Sequence, residues 1–391
     1  MAVDFRFIVI GRGMMGAAAA KYLARQTDGV AVIGPDEPVD RKTHRGVFAS
    51  HYDEGRITRT IDPDRNWALL ANRSIGRYGE IARDSGIDFY REVGCVVVAP
   101  DASDYLEKTR QAAVSLGVET SLLDEAGLKA AFPFFAFPEG GAGVFEARGA
   151  GHISPRKLVK AQSLLAEKAG ATVIRDHVVS IRSEGGVAVV KTAGGQTYHG
   201  EKVLLAAGGF SIAENLLPRP VAMTVYARTV TLFEVSEEAA ARLATMPSLI
   251  LDIPDIHIYL LPLIRYPDGK FYLKIGGDPD DLTLSDDTEM RAWFRTEGRD
   301  SVRAHLAHVV SRDRSADRLR RDFGQEFRRN RQAWSRAAFG RRNQRAGLLR
   351  GFHTAISLNH IGYFVGNCRR SRLWEPCQLA GQPRFTNAER R

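Results

Sequence analysis

Residues 7–26 read FIVIGRGMMGAAAAKYLARQ, and residues 30–34 read VAVIG. The first stretch predicts a strand over Arg6–Ile10, a glycine turn over Gly11–Gly16 and a helix over Ala17–Arg25. The second predicts another strand. This order is a βαβ unit with its glycines correctly placed. Gly11 permits a tight turn, Gly13 lets a pyrophosphate approach the backbone, and Gly16 lets helix and strand pack closely. Met14 and Met15 lie in the turn, and the free N–H groups and partial positive charge of the helix that follows face the phosphates. The unit therefore predicts dinucleotide binding, without choosing between FAD and NAD. Gly34 stands where an acid that bonds a ribose hydroxyl usually ends the second strand, which leaves Asp36 and Glu37 as substitutes.

Further along, VFASHYDEGRITRTID (residues 47–62) crowds His51, Tyr52, Asp53, Glu54, Arg56 and Arg59 into one polar stretch. Near-helical apolar spacing predicts one helix over 67–86. Residues 89–100 read as strand, turn and strand, and 103–117 and 124–131 as helices. From Gly151 to Ile181 the reading is a turn, a helix and a strand, with Pro155 at the helix start and Gly170 at its end. Residues 187–210 read as a hairpin, a buried strand and a second glycine turn. Residues 220–235 alternate like a strand. Residues 257–277 form a hairpin about Pro267-Asp268-Gly269, and 288–310 are helical. These elements do not continue as regular strand–helix alternation, which counts against NAD-linked hydride transfer. The expectation is a mixed α/β chain: a Rossmann-like nucleotide domain (1–90, 145–215 and 320–391) and a discontinuous second domain on an antiparallel or mixed sheet (91–144 and 216–319).

The chain has 391 residues, 44% of them hydrophobic, and a net charge of +9. That charge is not spread evenly, because residues 311–391 hold 19 Arg, no Lys and 6 acids. The rest is mildly acidic, which argues against nucleic acid as a partner. No apolar run reaches the ~20 residues of a membrane helix. Cys95, Cys368 and Cys377 have neither metal-ligand nor disulfide spacing. A cytoplasmic, monomeric enzyme without a metal is the expectation.

Four features, in this order, resemble the FAD-dependent oxidoreductases related to D-amino-acid oxidase, on the branch of monomeric sarcosine oxidase and N-methyltryptophan oxidase. They are GRGMMG, SHYDEGRITR (Ser50–Arg59), VLLAAGG (203–209), and IYLLP with YLKIGG (258–262 and 272–277). The likeness spans about residues 5–310. It implies noncovalent or covalent FAD, with Ser50, His51, Arg56, Val178 and Gly208 joining the glycine turn around it. It places Arg56 beside the flavin ring, where a cation stabilises the reduced form. It places Arg59 on a substrate carboxylate, which its planar fork suits. Lys274 falls over the flavin, where it activates dioxygen. Tyr259 lines the substrate pocket, and Tyr52 replaces a histidine frequent in the family, with consequences for substrate. Three cations in the pocket would favour a neutral amine. The implied activity is oxidation of a small secondary amine or N-methyl amino acid. A hydride equivalent goes to flavin N5, the imine hydrolyses, and O₂ becomes hydrogen peroxide.

The last part of the chain departs from this pattern. The cysteine that carries FAD in many members has no counterpart at 330–360, so noncovalent FAD is expected. The strand IGYFVGNC (361–368) is not followed by the expected glycine turn. Arginine without lysine is what shifted frames of GC-rich DNA yield, so parts of 320–391 are expected to be out of frame. An unbroken gene with steady codon bias would refute this. The alternatives are a dehydrogenase of the same fold with another acceptor, and an inactive flavoprotein-like binding protein.

Overall fold

In the computed structural model the described residues are 2–294, apart from 42, 136, 214–215, 220, 255 and 278–281, together with the strand Thr354–Ile356. The opening unit is β1 (Phe5–Ile10), α1 (Met14–Ala24) and β2 (Val30–Ile33). It lies in a six-stranded sheet ordered Val178–Glu184, Val187–Thr192, Thr197–Leu205, β1, β2, Thr172–Ile174. The four strands from Thr197–Leu205 to Thr172–Ile174 run parallel, with Val9 opposite Leu204 on one side and Val32 on the other. Parallel strands covered by helices read as continuous apolar runs. Here Val9, Val30 and Val32 pack with Ala20 and Ala24 of α1 and with Ala166 of the helix Pro155–Lys168. Small alanines let both helices lie close to the sheet.

The second sheet is mixed. Its order is Leu282–Leu284, Val225–Val235, Phe271–Gly277, Ile256–Arg265, Ser248–Ile253, Cys95–Pro100, Gly141–Glu146, Ser121–Leu123. Thr354–Ile356, from the segment expected in the nucleotide domain, pairs here with Val225–Val235. Ser248–Ile253 and Cys95–Pro100 run parallel. The register slips between Leu261 and Ile264, around Pro262. Proline has no N–H for the ladder, so it sits where pairing lapses. A third, small sheet joins Arg56–Thr58, Gly151–Ile153 and Tyr90–Arg91.

Three readings are corrected. Residues 67–86 form two helices, Arg65–Ile75 and Tyr78–Ser85. The Arg77 N–H turns back to the Ser74 carbonyl at 3.0 Å, which tightens the backbone at Gly76. Gly151 begins a strand rather than a turn; a Cβ there would meet the Arg91 carbonyl oxygen at 2.1 Å. Thr197–Leu205 is one strand serving both the hairpin and the parallel sheet, and Leu204 is exposed at its end. The helix expected over 288–310 is Asp287–Phe294 as far as the described residues go. Residues 295–353 and 357–391, with Cys368, Cys377 and the out-of-frame reading, lie outside them.

Candidate active site

The glycine turn is shaped from its own backbone. Gly11 has φ +107°, a left-handed conformation, and a Cβ on it would meet the Ala206 carbonyl oxygen at 2.3 Å. A Cβ on Gly16 would lie 1.7 Å from the Gly11 carbonyl oxygen. Gly13 is different. Among the described residues, the single atom within 4 Å of its Cβ position is His51 Nδ1, at 3.9 Å. Gly13 caps α1 without a side-chain hydrogen bond, and no acid occupies the first turn. The helix N-terminus therefore offers free N–H groups beside an open face, the arrangement that receives a pyrophosphate. Across the turn, the Ala206 N–H bonds the Ile10 carbonyl at 2.7 Å, and Gly208 follows with φ +60°.

The polar stretch of residues 50–59 lies against this turn. His51 Nδ1 is buried without a hydrogen-bond partner among the described residues. Burial pushes its pKa down to about 4, so the imidazole is neutral. Arg56 reaches Met14 Sδ at 3.5 Å and gives a hydrogen bond to the Ser50 carbonyl at 2.7 Å. Burial lowers its pKa, against the pull of Asp53 and Tyr259. Met15 is exposed at the helix start. Val178 packs with Ile10 and Ile33 at the edge of the nucleotide sheet.

At the end of β2, Arg12 explains Gly34. A Cβ on Gly34 would meet the Arg12 backbone nitrogen at 2.7 Å. Arg12 Nη1 bonds the Gly34 carbonyl at 2.9 Å and Asp36 Oδ1 at 2.8 Å. Asp36 thus stands near the turn. Glu37 is engaged by two arginines. Its two oxygens are held by Arg156 at 2.6 and 2.7 Å, and by Arg41 at 3.1 Å. Arg156 also pairs with Glu54, which accepts from the Ser154 hydroxyl at 2.8 Å. This network ties the residues after β2 to the 50–56 segment and to the start of the helix Pro155–Lys168.

Lys274 comes from the opposite side. It is 3% exposed and forms an ion pair with Asp53, which is 1% exposed. Its ammonium also donates to the Gly55 carbonyl at 2.8 Å. Lys274 Nζ lies 6.0 Å from the centre of the Tyr259 ring. That ring needs Gly276, where a Cβ would sit 2.3 Å from Tyr259 Cζ. Tyr259, Ile57 and Tyr105 pack against the same buried cluster, which includes Ile61, Val97 and Ile250. Arg59 pairs with Asp62 at 2.5 Å, and its Nε has no partner among the described residues. Burial works against its charge, but Asp62, together with Tyr105, Cys95 and Glu146, outweighs it and the net shift is upward. The segment after Arg59 is held by buried Glu146, which accepts from the Thr60 and Ile61 N–H groups at 3.0 and 3.1 Å.

The structure therefore brings Arg56, Tyr259 and Lys274 around residues 53–57, beside the glycine turn. Burying ammonium or guanidinium demands a counter-charge, and Asp53 supplies it to Lys274 and Asp62 to Arg59. Tyr52 does not join Tyr259. It is packed against Phe48 and Phe294, with its hydroxyl 3.4 Å from the Asp36 carbonyl. Asp53, Asp62, Glu146, Tyr266 and Gly276 were not assigned from sequence. Apart from Asp62, which pairs with nearby Arg59, their partners lie at least 17 residues away in the chain, and only the charge density of residues 51–59 hinted at the first.

An open Gly13, an uncapped helix N-terminus and an orphaned His51 nitrogen fit a dinucleotide. The site is thus of the class that places a dinucleotide between a parallel sheet and a mixed, side-chain-bearing sheet. The family model "DAO: FAD dependent oxidoreductase" matches residues 6–342. The chain belongs to this family and is an FAD-dependent oxidoreductase. It is 25% identical to N-methyl-L-tryptophan oxidase of Yersinia pestis over 277 residues, 70% of each chain. Among solved structures it resembles NikD, described as an unusual amino acid oxidase essential for nikkomycin biosynthesis, with TM-score 0.56, 19% identity and coverage of 76% and 78%. It also resembles L-proline dehydrogenase from P. horikoshii, with TM-score 0.57, 18% identity and coverage of 76% and 77%. No helix among the described residues is long and apolar enough to cross a membrane.

Proposed function

We propose that this protein oxidises a small secondary amine or N-methyl amino acid with FAD. The observation that carries the reading is the convergence of Arg56, Tyr259 and the buried Lys274 beside a glycine turn with one open face. FAD supplies acceptance of a hydride equivalent from the carbon next to nitrogen, and dioxygen then takes the electrons to give hydrogen peroxide. Gly13 and the α1 N-terminus hold the pyrophosphate, with His51 alongside. Arg56 offers positive charge to the flavin ring. Arg59 meets a substrate carboxylate with the part of its fork that Asp62 leaves free, and Tyr259 walls the pocket. Lys274 faces dioxygen.

FAD is held noncovalently in this reading. Cys95 is buried in a strand, and burial pushes its thiol up to about 12, so it is not a nucleophile toward flavin. The test is the visible spectrum of purified protein before and after acid precipitation, followed by anaerobic addition of N-methyl amino acids and simple secondary amines. Flavin bands released by acid and bleached by amine support the reading. Protein that takes up no FAD, or FAD that no amine reduces, overturns it. In Lys274→Met, flavin reoxidation should slow far more than flavin reduction, and equal slowing would remove Lys274 from the dioxygen step.

A further inference from the structure

Asp53 and Lys274 are 221 positions apart and meet as a buried ion pair. Both carboxylate oxygens of Asp53 are engaged. Oδ2 takes the Lys274 ammonium, and Oδ1 accepts from the Tyr266 hydroxyl at 2.9 Å and the Glu54 N–H at 2.8 Å. Tyr266 is itself buried, so the carboxylate is fixed by a rigid donor from the hairpin that also carries Lys274. The Gly55 carbonyl holds the ammonium from a second direction, one residue before Arg56.

A lone ammonium in a dry site exerts a long-range field, whereas an ammonium touching a carboxylate acts as a dipole whose field fades much faster. Resting on the reading of Lys274 given above, we infer that Asp53 tunes this lysine: its carboxylate cancels most of the Lys274 charge and holds electron transfer from reduced flavin to dioxygen well below what an unpaired lysine would give. The overall step balances without a further reactant. Reduced flavin gives up two electrons and two protons, and O₂ becomes H₂O₂. Its first electron makes superoxide, the species that a nearby cation stabilises, so the first electron is where cancellation is felt. Asp53 touches neither reacting centre in this scheme and acts through Lys274.

The test compares four FAD-loaded proteins: the natural chain, Asp53→Asn, Lys274→Met, and the double variant. Asparagine keeps an oxygen for Tyr266 and Glu54. Two quantities are measured, the midpoint potential of the bound flavin and the rate at which dithionite-reduced flavin is reoxidised by O₂. Asp53→Asn should reoxidise at least about tenfold faster, with a potential shifted positive. Lys274→Met should be slower, with a potential shifted negative. The double variant, neutral like the natural pair, should match the natural chain within about threefold. Replacing a buried pair whole is well tolerated, so this comparison stands even where a single variant fails to fold. The inference falls if the natural chain outpaces the double variant by about tenfold or more, because Lys274 would then be acting as a bare cation. It also falls if Asp53→Asn changes neither quantity. Those failures in a protein that binds FAD and is reduced by amines leave the function standing. A natural chain that binds no FAD removes both.

Discussion

The glycine turn and the lysine pocket approach residues 50–56 from two sides and are built in opposite ways. The turn is made of backbone, and Gly11 and Gly16 serve by having no side chain. The pocket is made of side chains drawn from the 50–59 segment, the hairpin and Gly141–Glu146, with Asp53 and Glu146 matched to partners far along the chain. A site made of backbone is specified within six consecutive residues. A site made of ion pairs exists once the two sheets have come together.

The largest expected effect lies in the turn. Gly16→Val puts a branched side chain where even a Cβ would lie 1.7 Å from the Gly11 carbonyl oxygen. Neither the helix nor the strand can yield without opening the nucleotide sheet. Insoluble protein, or a loss above about 3 kcal/mol in urea unfolding, is expected. A variant of natural stability would mean that α1 can shift freely over β1. Next comes the pocket. Asp53→Ala strands a buried ammonium and should cost about 3–5 kcal/mol, while Asp53→Asn with Lys274→Met should cost far less. Equal costs in urea melts would show that Asp53 matters for packing rather than charge.

The same contrast explains what could be read from sequence. The βαβ unit, the second glycine turn and the 257–277 hairpin were all legible, because period and turn residues are local signals. Lys274 was legible as an odd charge in an apolar strand. Its partner was not, since the ladder that sets Leu261 opposite Lys274 and brings Tyr266 over Asp53 is a matter of sheet register. The contacts of Glu37 and Tyr52 were not legible for a related reason. Both are polar groups at suitable spacing, yet Arg156, Arg41 and Phe294 claim them in the folded chain.

A smaller effect sits on the face of α1 away from the turn. Lys21 is fully buried, and its Nζ has no hydrogen-bond partner among the described residues. Desolvation lowers its pKa to about 8, helped by Arg25, with the Tyr22 ring 4.1 Å from Nζ as partial compensation. The unfolded chain therefore binds the Lys21 proton more tightly than the folded one. Stability should rise with pH between about 8 and the ordinary lysine pKa of about 10.4. Below pH 8 the penalty is fully present. Lys21→Met keeps the apolar stem, should stabilise by about 1–3 kcal/mol at pH 7, and should flatten that rise. Urea melts at pH 7, 8.5 and 9.5 decide it. A destabilised variant would show that the Tyr22 contact outweighs desolvation.

The smallest effect on the fold should come from Gly13, and it sharpens the comparison most. Its φ of −78° and ψ of −167° are open to any residue, and among the described residues a Cβ there meets nothing closer than His51 Nδ1 at 3.9 Å. Gly13→Ala should therefore leave the urea midpoint of FAD-free protein within about 0.5 kcal/mol of the natural value. The same methyl would occupy the place where the pyrophosphate comes against the backbone. FAD affinity, followed by quenching of flavin fluorescence, should drop by about tenfold or more. Gly13 and Gly16 then separate two jobs within one turn. Gly16 is glycine because the protein leaves no room, and Gly13 is glycine because the cofactor leaves none. If Gly13→Ala binds FAD as tightly as the natural chain, the pyrophosphate does not lie on that face. The open glycine would then be an accident of the turn.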